Sequence, residues 1–218
     1  MVRKTKEEAL ETRERLLDAA GRVFSEKGVT NTSLGDIAKS AGMTRGAIYW
    51  HFCNKTELMA ALWDRTKMPL DETWGGCCPE SDRDPLGRIR GNAIRMLQRA
   101  VNDEKTRQVY DILFHKCECV DEAEPIMARR MASRKECAPT IEGFFAAAIE
   151  SGQLPAGLDP HRAMIGLFCF IEGLIYNSLI QPEALRLAEM AEHYVDTYIA
   201  GLKHAPPLPG KVPAASTA

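Results

Sequence analysis

Apolar residues recur at helical spacing along almost the whole chain. Leu16, Leu17, Ala20, Val23 and Phe24 fall at i, i+1, i+4, i+7 and i+8, the inner face of a first helix that Gly28 ends. Leu34, Ile37, Ala38 and Ala41 follow at i, i+3, i+4 and i+7 behind Thr32-Ser33, and Ser33 with Asp36 reads as a capping box. Gly42 closes that short helix, and Thr44 caps another running from Arg45 to Phe52. Asn54 with Glu57 opens a fourth through Leu58, Ala61, Leu62 and Arg65. A short helix, a glycine turn and a second short helix describe a helix-turn-helix. Near the other end, Asp159-Pro160 is a cap followed by proline at the first helical position, predicting a helix to about Leu179. Pro182-Glu183 opens a last helix carrying Leu185, Leu187, Met190, Tyr194, Val195, Tyr198 and Leu202.

The predicted fold is therefore all-α. Residues 1–54 form a three-helix head containing the helix-turn-helix, and residues 55–204 form a second, helical domain, about nine helices in all. Residues 205–218 are rich in proline and alanine, lack helical periodicity and are expected to be disordered.

The third helix carries the most information. With Ile48 and Phe52 turned inward, 100° per residue sends Gly46, Tyr49 and Trp50 outward. Two large aromatics beside a glycine make a poor solvated face and a good major-groove face. Glycine allows close backbone approach, the rings contact thymine methyls and sugar-phosphate edges, and Arg45 reaches guanine O6 and N7. The alternative is that both rings pack against the second domain as core.

Charge supports the first reading weakly. The chain carries −2 overall, but residues 1–67 hold 12 Lys and Arg against 9 Asp and Glu, or +3, and the remainder hold 16 against 21, or −5. The most apolar stretch, Ala163 to Ile180, is interrupted by Gly166, Glu172, Gly173, Asn177 and Ser178, so no membrane-spanning segment is expected. The basic N-terminal residues have no apolar segment behind them, which predicts a cytoplasmic protein without a secretory signal.

Seven cysteines, an odd number, argue against a disulfide framework, and His115-Lys116-Cys117-Glu118-Cys119 lacks a second ligand pair at zinc spacing. No metal and no cofactor are expected. Redox sensing stays open, with adjacent Cys77 and Cys78 as its candidates. Catalysis by Cys117 with His115 is disfavoured, because sequence neighbours on a helix diverge and no oxyanion motif accompanies them. An adaptor bundle that binds only protein would need no exposed Gly46-Tyr49-Trp50 face.

The run Thr32-Ser33-Leu34-Gly35-Asp36-Ile37-Ala38, followed by Ala41-Gly42-Met43-Thr44-Arg45-Gly46-Ala47-Ile48-Tyr49-Trp50-His51-Phe52 and Asn54-Lys55, resembles the TetR/AcrR repressors. The likeness is to the subgroup that represses multidrug efflux pumps. Ile112 to Glu118, Gly152 to Pro155 and Glu172 to Ile175 extend it to about residues 3–203. Met43, Cys53 and Cys119 depart from the pattern without removing a DNA contact.

The resemblance implies DNA contacts by Thr32, Ser33, Thr44, Arg45, Gly46, Tyr49, Trp50, His51 and Lys55. Thr32, Ser33 and Lys55 would hold phosphates, although capping and solvated charge are equally good accounts of Ser33 and Lys55, and His51 could instead buttress the fourth helix. It also implies a pocket for a small hydrophobic or amphipathic effector, with Lys67, Met96, Tyr110, Phe114, Cys137, Ile141, Phe168, Glu172 and Tyr176 as candidates. Core packing is the plainer account of each apolar member. Glu172, a carboxylate on an apolar helix, suits a cationic amphiphile or a protein partner. The remaining implications are a homodimer built through the last two long helices, a palindromic double-stranded operator, and release from it when effector moves the fourth helix. Whether such a protein represses or activates is left open.

Overall fold

The computed structural model describes residues 6–66, 84–117 and 120–206, the side chains of 120–126 excepted. Lys67, Cys77, Cys78 and residues 207–218 lie outside the described residues. Every regular element among the described residues is helical. In order they are α1 (Lys6–Lys27), α2 (Leu34–Ser40), α3 (Arg45–His51), α4 (Lys55–Thr66), α5 (Pro85–Asn102), α6 (Glu104–Asp111), α7 (Val120–Glu150), α8 (Pro160–Ile180), α9 (Pro182–Leu185) and α10 (Leu187–His204). α6 runs on into a wider i→i+5 turn, Ile112–Lys116.

The chain forms two compact units, residues 1–68 with 99–134, and residues 69–98 with 135–218. This packing division does not follow the 1–54 and 55–204 boundary drawn from sequence, which separates roles. α4 and α6 share one core with the head: Leu16, Leu17, Phe24, Ile37, Ile48 and Phe52 are buried together with Leu58, Leu62, Val109 and Ile112. Gly21 of α1 lets α6 approach, since a side chain there would collide with the Gln108 amide. Polar links reinforce the contact. Arg65 at the end of α4 meets Asp18 at 2.6 Å and Glu14 at 2.9 Å, and Lys105 of α6 meets Asp18 at 2.9 Å. Burial pushes the Asp18 carboxyl up, but the hydrogen bonds and charges of Lys105 and Arg65 outweigh it and hold the group below its ordinary value.

In the second unit α8 packs on α10. Asp159 caps α8 by accepting from Arg162 N at 3.1 Å, with Pro160 in the first turn, as the sequence predicts. α8 is long and apolar enough to cross a membrane by length and composition, yet Ala163, Leu167, Ile171 and Ile175 are buried inside the unit. Tyr198 of α10 reaches across to donate to Ala163 O at 2.7 Å and stacks on Phe170 at 5.1 Å. Burial, with the Cys169 charge second, holds its hydroxyl well above the usual tyrosine value. The last helix differs from expectation. Pro182 opens only the single turn of α9, and Arg186, in left-handed conformation at φ 45°, breaks the chain before α10 starts at Leu187.

Gly166 lies directly beneath the Tyr198 hydroxyl, where an added Cβ would sit 2.8 Å from Oη. Gly166→Ala is expected to destabilise by about 1–3 kcal/mol through overpacking. In a Tyr198→Phe background, itself down by about 1 kcal/mol for the lost hydrogen bond, the same change turns neutral or stabilising, because alanine is the better helix former by up to about 1 kcal/mol. Urea denaturation of the four proteins measures that coupling.

Candidate nucleic-acid interface

The head is a helix-turn-helix fixed by caps. Ser33 Oγ accepts from Asp36 N at 3.2 Å, while the Asp36 carboxylate accepts from Ser33 N at 3.0 Å and from the Ser33 hydroxyl at 2.6 Å. This is the predicted capping box. The Ser33 hydrogen bonds, from side chain first and backbone second, hold the Asp36 carboxyl below its ordinary value. α2 ends in left-handed Gly42, φ 68°, with Met43 N donating back to Ala38 O at 2.8 Å and Arg15 reaching Ala41 O at 3.3 Å. Thr44 then caps α3, accepting from Ala47 N at 3.3 Å.

Burial of Ile48 and Phe52 sets the rotation of α3, and the opposite face is presented as expected. Tyr49 is 49% exposed, Trp50 is 73% exposed, and nothing lies within 4 Å of where a Gly46 Cβ would be. The rival account, in which both rings belong to the core, fails for Trp50. Arg45 is exposed, with its guanidinium laid along the first turn of α2 beside Gly35, so two helices converge on one basic spot. His51 is half-buried and meets Trp50 edge-on at 4.5 Å, with Phe52 beyond at 6.3 Å.

Two of the expected phosphate ligands make hydrogen bonds within the chain. Thr32 is only 3% exposed, and its hydroxyl donates to Gly28 O at 2.7 Å. A hydroxyl has one proton, and in the DNA-free chain this one is spent inside the loop. Lys55 points inward: Nζ donates to Val29 O at 2.9 Å and to Thr30 O at 3.4 Å. Ser33 likewise donates its hydroxyl proton to Asp36. Cys53, exposed just beyond α3, is held protonated by Glu57, whose hydrogen bond and charge push the thiol up, which argues against a thiolate sensor at that position.

The effector candidates divide between the units. Tyr110 and Phe114 stack at 5.8 Å in the first, and there they meet two residues that sequence reasoning missed. Trp63 stands edge-on to Tyr110 at 5.8 Å, and Arg130, buried, lies over Phe114 at 5.2 Å and over Trp63 at 5.9 Å. These four close a ring of aromatic and cation–π contacts joining α4, α6 and α7. Met96, Cys137, Ile141, Phe168, Glu172 and Tyr176 belong to the second unit. Ile141 is core, Tyr176 is exposed, and the other four are half-buried.

Comparison with known proteins agrees with this geometry. Residues 16–62 match the family described as bacterial regulatory proteins, tetR family, and residues 84–204 match the C-terminal region of MAATS-type transcriptional repressors. The chain is 41% identical over 208 residues to the transcriptional regulator TtgR of Pseudomonas putida, covering 95% of this chain and 99% of that one. Among solved structures, NalD, the secondary repressor of the MexAB-OprM multidrug efflux pump in Pseudomonas aeruginosa, superposes with a TM-score of 0.80 at 33% identity over 90% of this chain and 99% of its own. A complex of SmeT with triclosan gives 0.76 at 29% identity, covering 93% and 97%. SmeT represses the Stenotrophomonas maltophilia pump SmeDEF.

Ser33→Ala removes the cap of α2 and is expected to cost about 1 kcal/mol in a thermal or urea melt. The depressed carboxyls of Asp36 and Asp18 add stability that is present above the ordinary aspartate value and lost as pH falls below it. Melting temperature should therefore drop more steeply below pH 4 in the parent protein than in Asp18→Asn, which has one such carboxyl fewer.

Proposed function

The chain belongs to the tetR family of bacterial regulatory proteins, and from that premise we propose an effector-responsive repressor that grips a palindromic operator as a homodimer and governs a multidrug efflux operon. The observation that carries the DNA-binding reading is the face of α3. Gly46, Tyr49 and Trp50 stand outward on a helix whose opposite side, at Ile48 and Phe52, is locked into the core. Arg45 and Thr44 flank that face at the helix start, where side chains reach base edges and phosphates.

One head buries too little surface for selective binding, and two heads about 34 Å apart on successive major grooves supply the rest. Support for a second copy comes from α8, which leaves Ile165, Tyr176 and Ile180 exposed on a helix otherwise used for packing. Regulators of this kind work in the cytoplasm, where the operator is. The efflux role and the effector rest on likeness to NalD and SmeT, the latter seen with triclosan. An effector that prefers the non-binding conformation by about 1–3 kcal/mol lowers operator affinity by one to two powers of ten. The shared core of α4, α6 and the head gives such a preference a physical route to α3.

The test is fluorescence anisotropy with a labelled duplex from the region upstream of the protein's own gene. The parent protein is expected to bind it as a dimer at nanomolar to tens of nanomolar concentration. Arg45→Ala and Tyr49→Ala should each weaken binding by about tenfold or more while leaving the melting temperature within a few degrees. Triclosan should raise the apparent Kd by about tenfold or more. Retention of selective binding by the double variant overturns the DNA-contact assignment, and an unchanged Kd at saturating triclosan overturns triclosan as effector.

A further inference from the structure

In the second unit α5 begins where α7 ends. The Gln153 side chain, just past the end of α7, accepts from Leu86 N at 3.0 Å and donates to Asp84 at 2.7 Å, and Arg88 lies over the Phe144 ring at 5.1 Å. Later residues of α5 therefore stand against earlier residues of α7. At 1.5 Å per residue, Asn92 lies about 6 Å beyond Arg88, and Ile141 about 4.5 Å before Phe144, so the two come to one level. Met96 and Cys137 follow one turn further on. Asn92 is fully buried, in a part of α5 where Ile89, Ala93 and Leu97 are core.

The Asn92 amide is oriented by Arg95, whose guanidinium donates to Oδ1. A guanidinium offers no acceptor, so turning the amide over would set donor against donor. The NH2 side is thereby committed to the interior, where Nδ2 meets no acceptor among the described residues. A buried donor in that position costs stability, and an apolar side chain on the same helix would avoid the cost. We propose that Asn92 donates this N–H to an uncharged oxygen of the effector, a carbonyl or phenolic oxygen on an apolar body held between α5 and α7 at the level of Met96 and Ile141. The inference rests on the effector reading above and narrows it, from amphipathic compounds at large to those carrying an acceptor oxygen. Apolar surface and an adaptable methionine accept many shapes, while one fixed donor sets orientation and selects by chemistry.

Benzophenone and its isostere diphenylethylene, in which a methylene group replaces the carbonyl oxygen, isolate that one contact. Calorimetric titration of the full chain without DNA, in the parent, Asn92→Leu and Asn92→Ala, reads it. In both variants benzophenone affinity is expected to fall by about tenfold while that of the hydrocarbon stays within about threefold. The greater hydrophobicity of the hydrocarbon cancels, because each compound is compared with itself across proteins. A merely structural amide would shift both affinities together. An unchanged ratio of the two affinities in both variants, or no binding of either compound to the parent, overturns the proposal. Because binding is read without DNA, a compound that binds in an Asn92-dependent way and leaves operator affinity unchanged supports the contact and counts against the release reading alone.

Discussion

Two side chains pointing inward determine what the head can do. Ile48 and Phe52 lie fully inside the core that α1, α2, α4 and α6 build together, and their burial fixes the rotation of α3 about its own axis. On a seven-residue helix there is little else to fix it, since a helix of that length has no independent stability. Burying two apolar side chains of this size contributes on the order of several kcal/mol. The outward aromatic face is thus a consequence of the inward apolar one. The chemistry available to a duplex is set by packing that no duplex touches.

The caps do complementary work at the ends. Ser33 with Asp36, Gly42, and Thr44 define where α2 stops and α3 starts, so the angle between the two helices is held by hydrogen bonds local in sequence. The approach to α2 is governed differently, by bonds that tie the loop after α1 to α4 and to the end of the wide turn after α6. Local bonds set the internal shape of the motif, and distant ones set its orientation on the rest of the unit.

That distinction also explains what was legible in the sequence. Capping residues, terminating glycines and the period of apolar positions act within four residues of one another, and each was readable: the capping box of α2, the cap of α3, the outward set on α3 and Asp159-Pro160 opening α8. The inward bonds of Thr32 and Lys55 were not readable, because they run to carbonyls 4 and 26 positions earlier in the chain that only the fold brings within reach. The break at Arg186 has no sequence signal, for a left-handed arginine carries none of the marks of glycine or asparagine. Trp63 and Arg130 were passed over for a related reason. One reads as core and the other as solvated charge, and only tertiary packing closes their ring with Tyr110 and Phe114.

The shared core has a further meaning for how the molecule can be divided. Val109 and Ile112, more than fifty positions beyond α3, lie in the same buried cluster as Leu16, Phe24 and Ile48. A fragment cut after the third helix would expose that side of α1 to water and lose the Asp18 pairings with Arg65 and Lys105 as well. The DNA reader is therefore no detachable module. Its smallest self-sufficient form includes chain from well inside the C-terminal region, so recombining heads and bodies between relatives would have to carry the α6 segment along with the head.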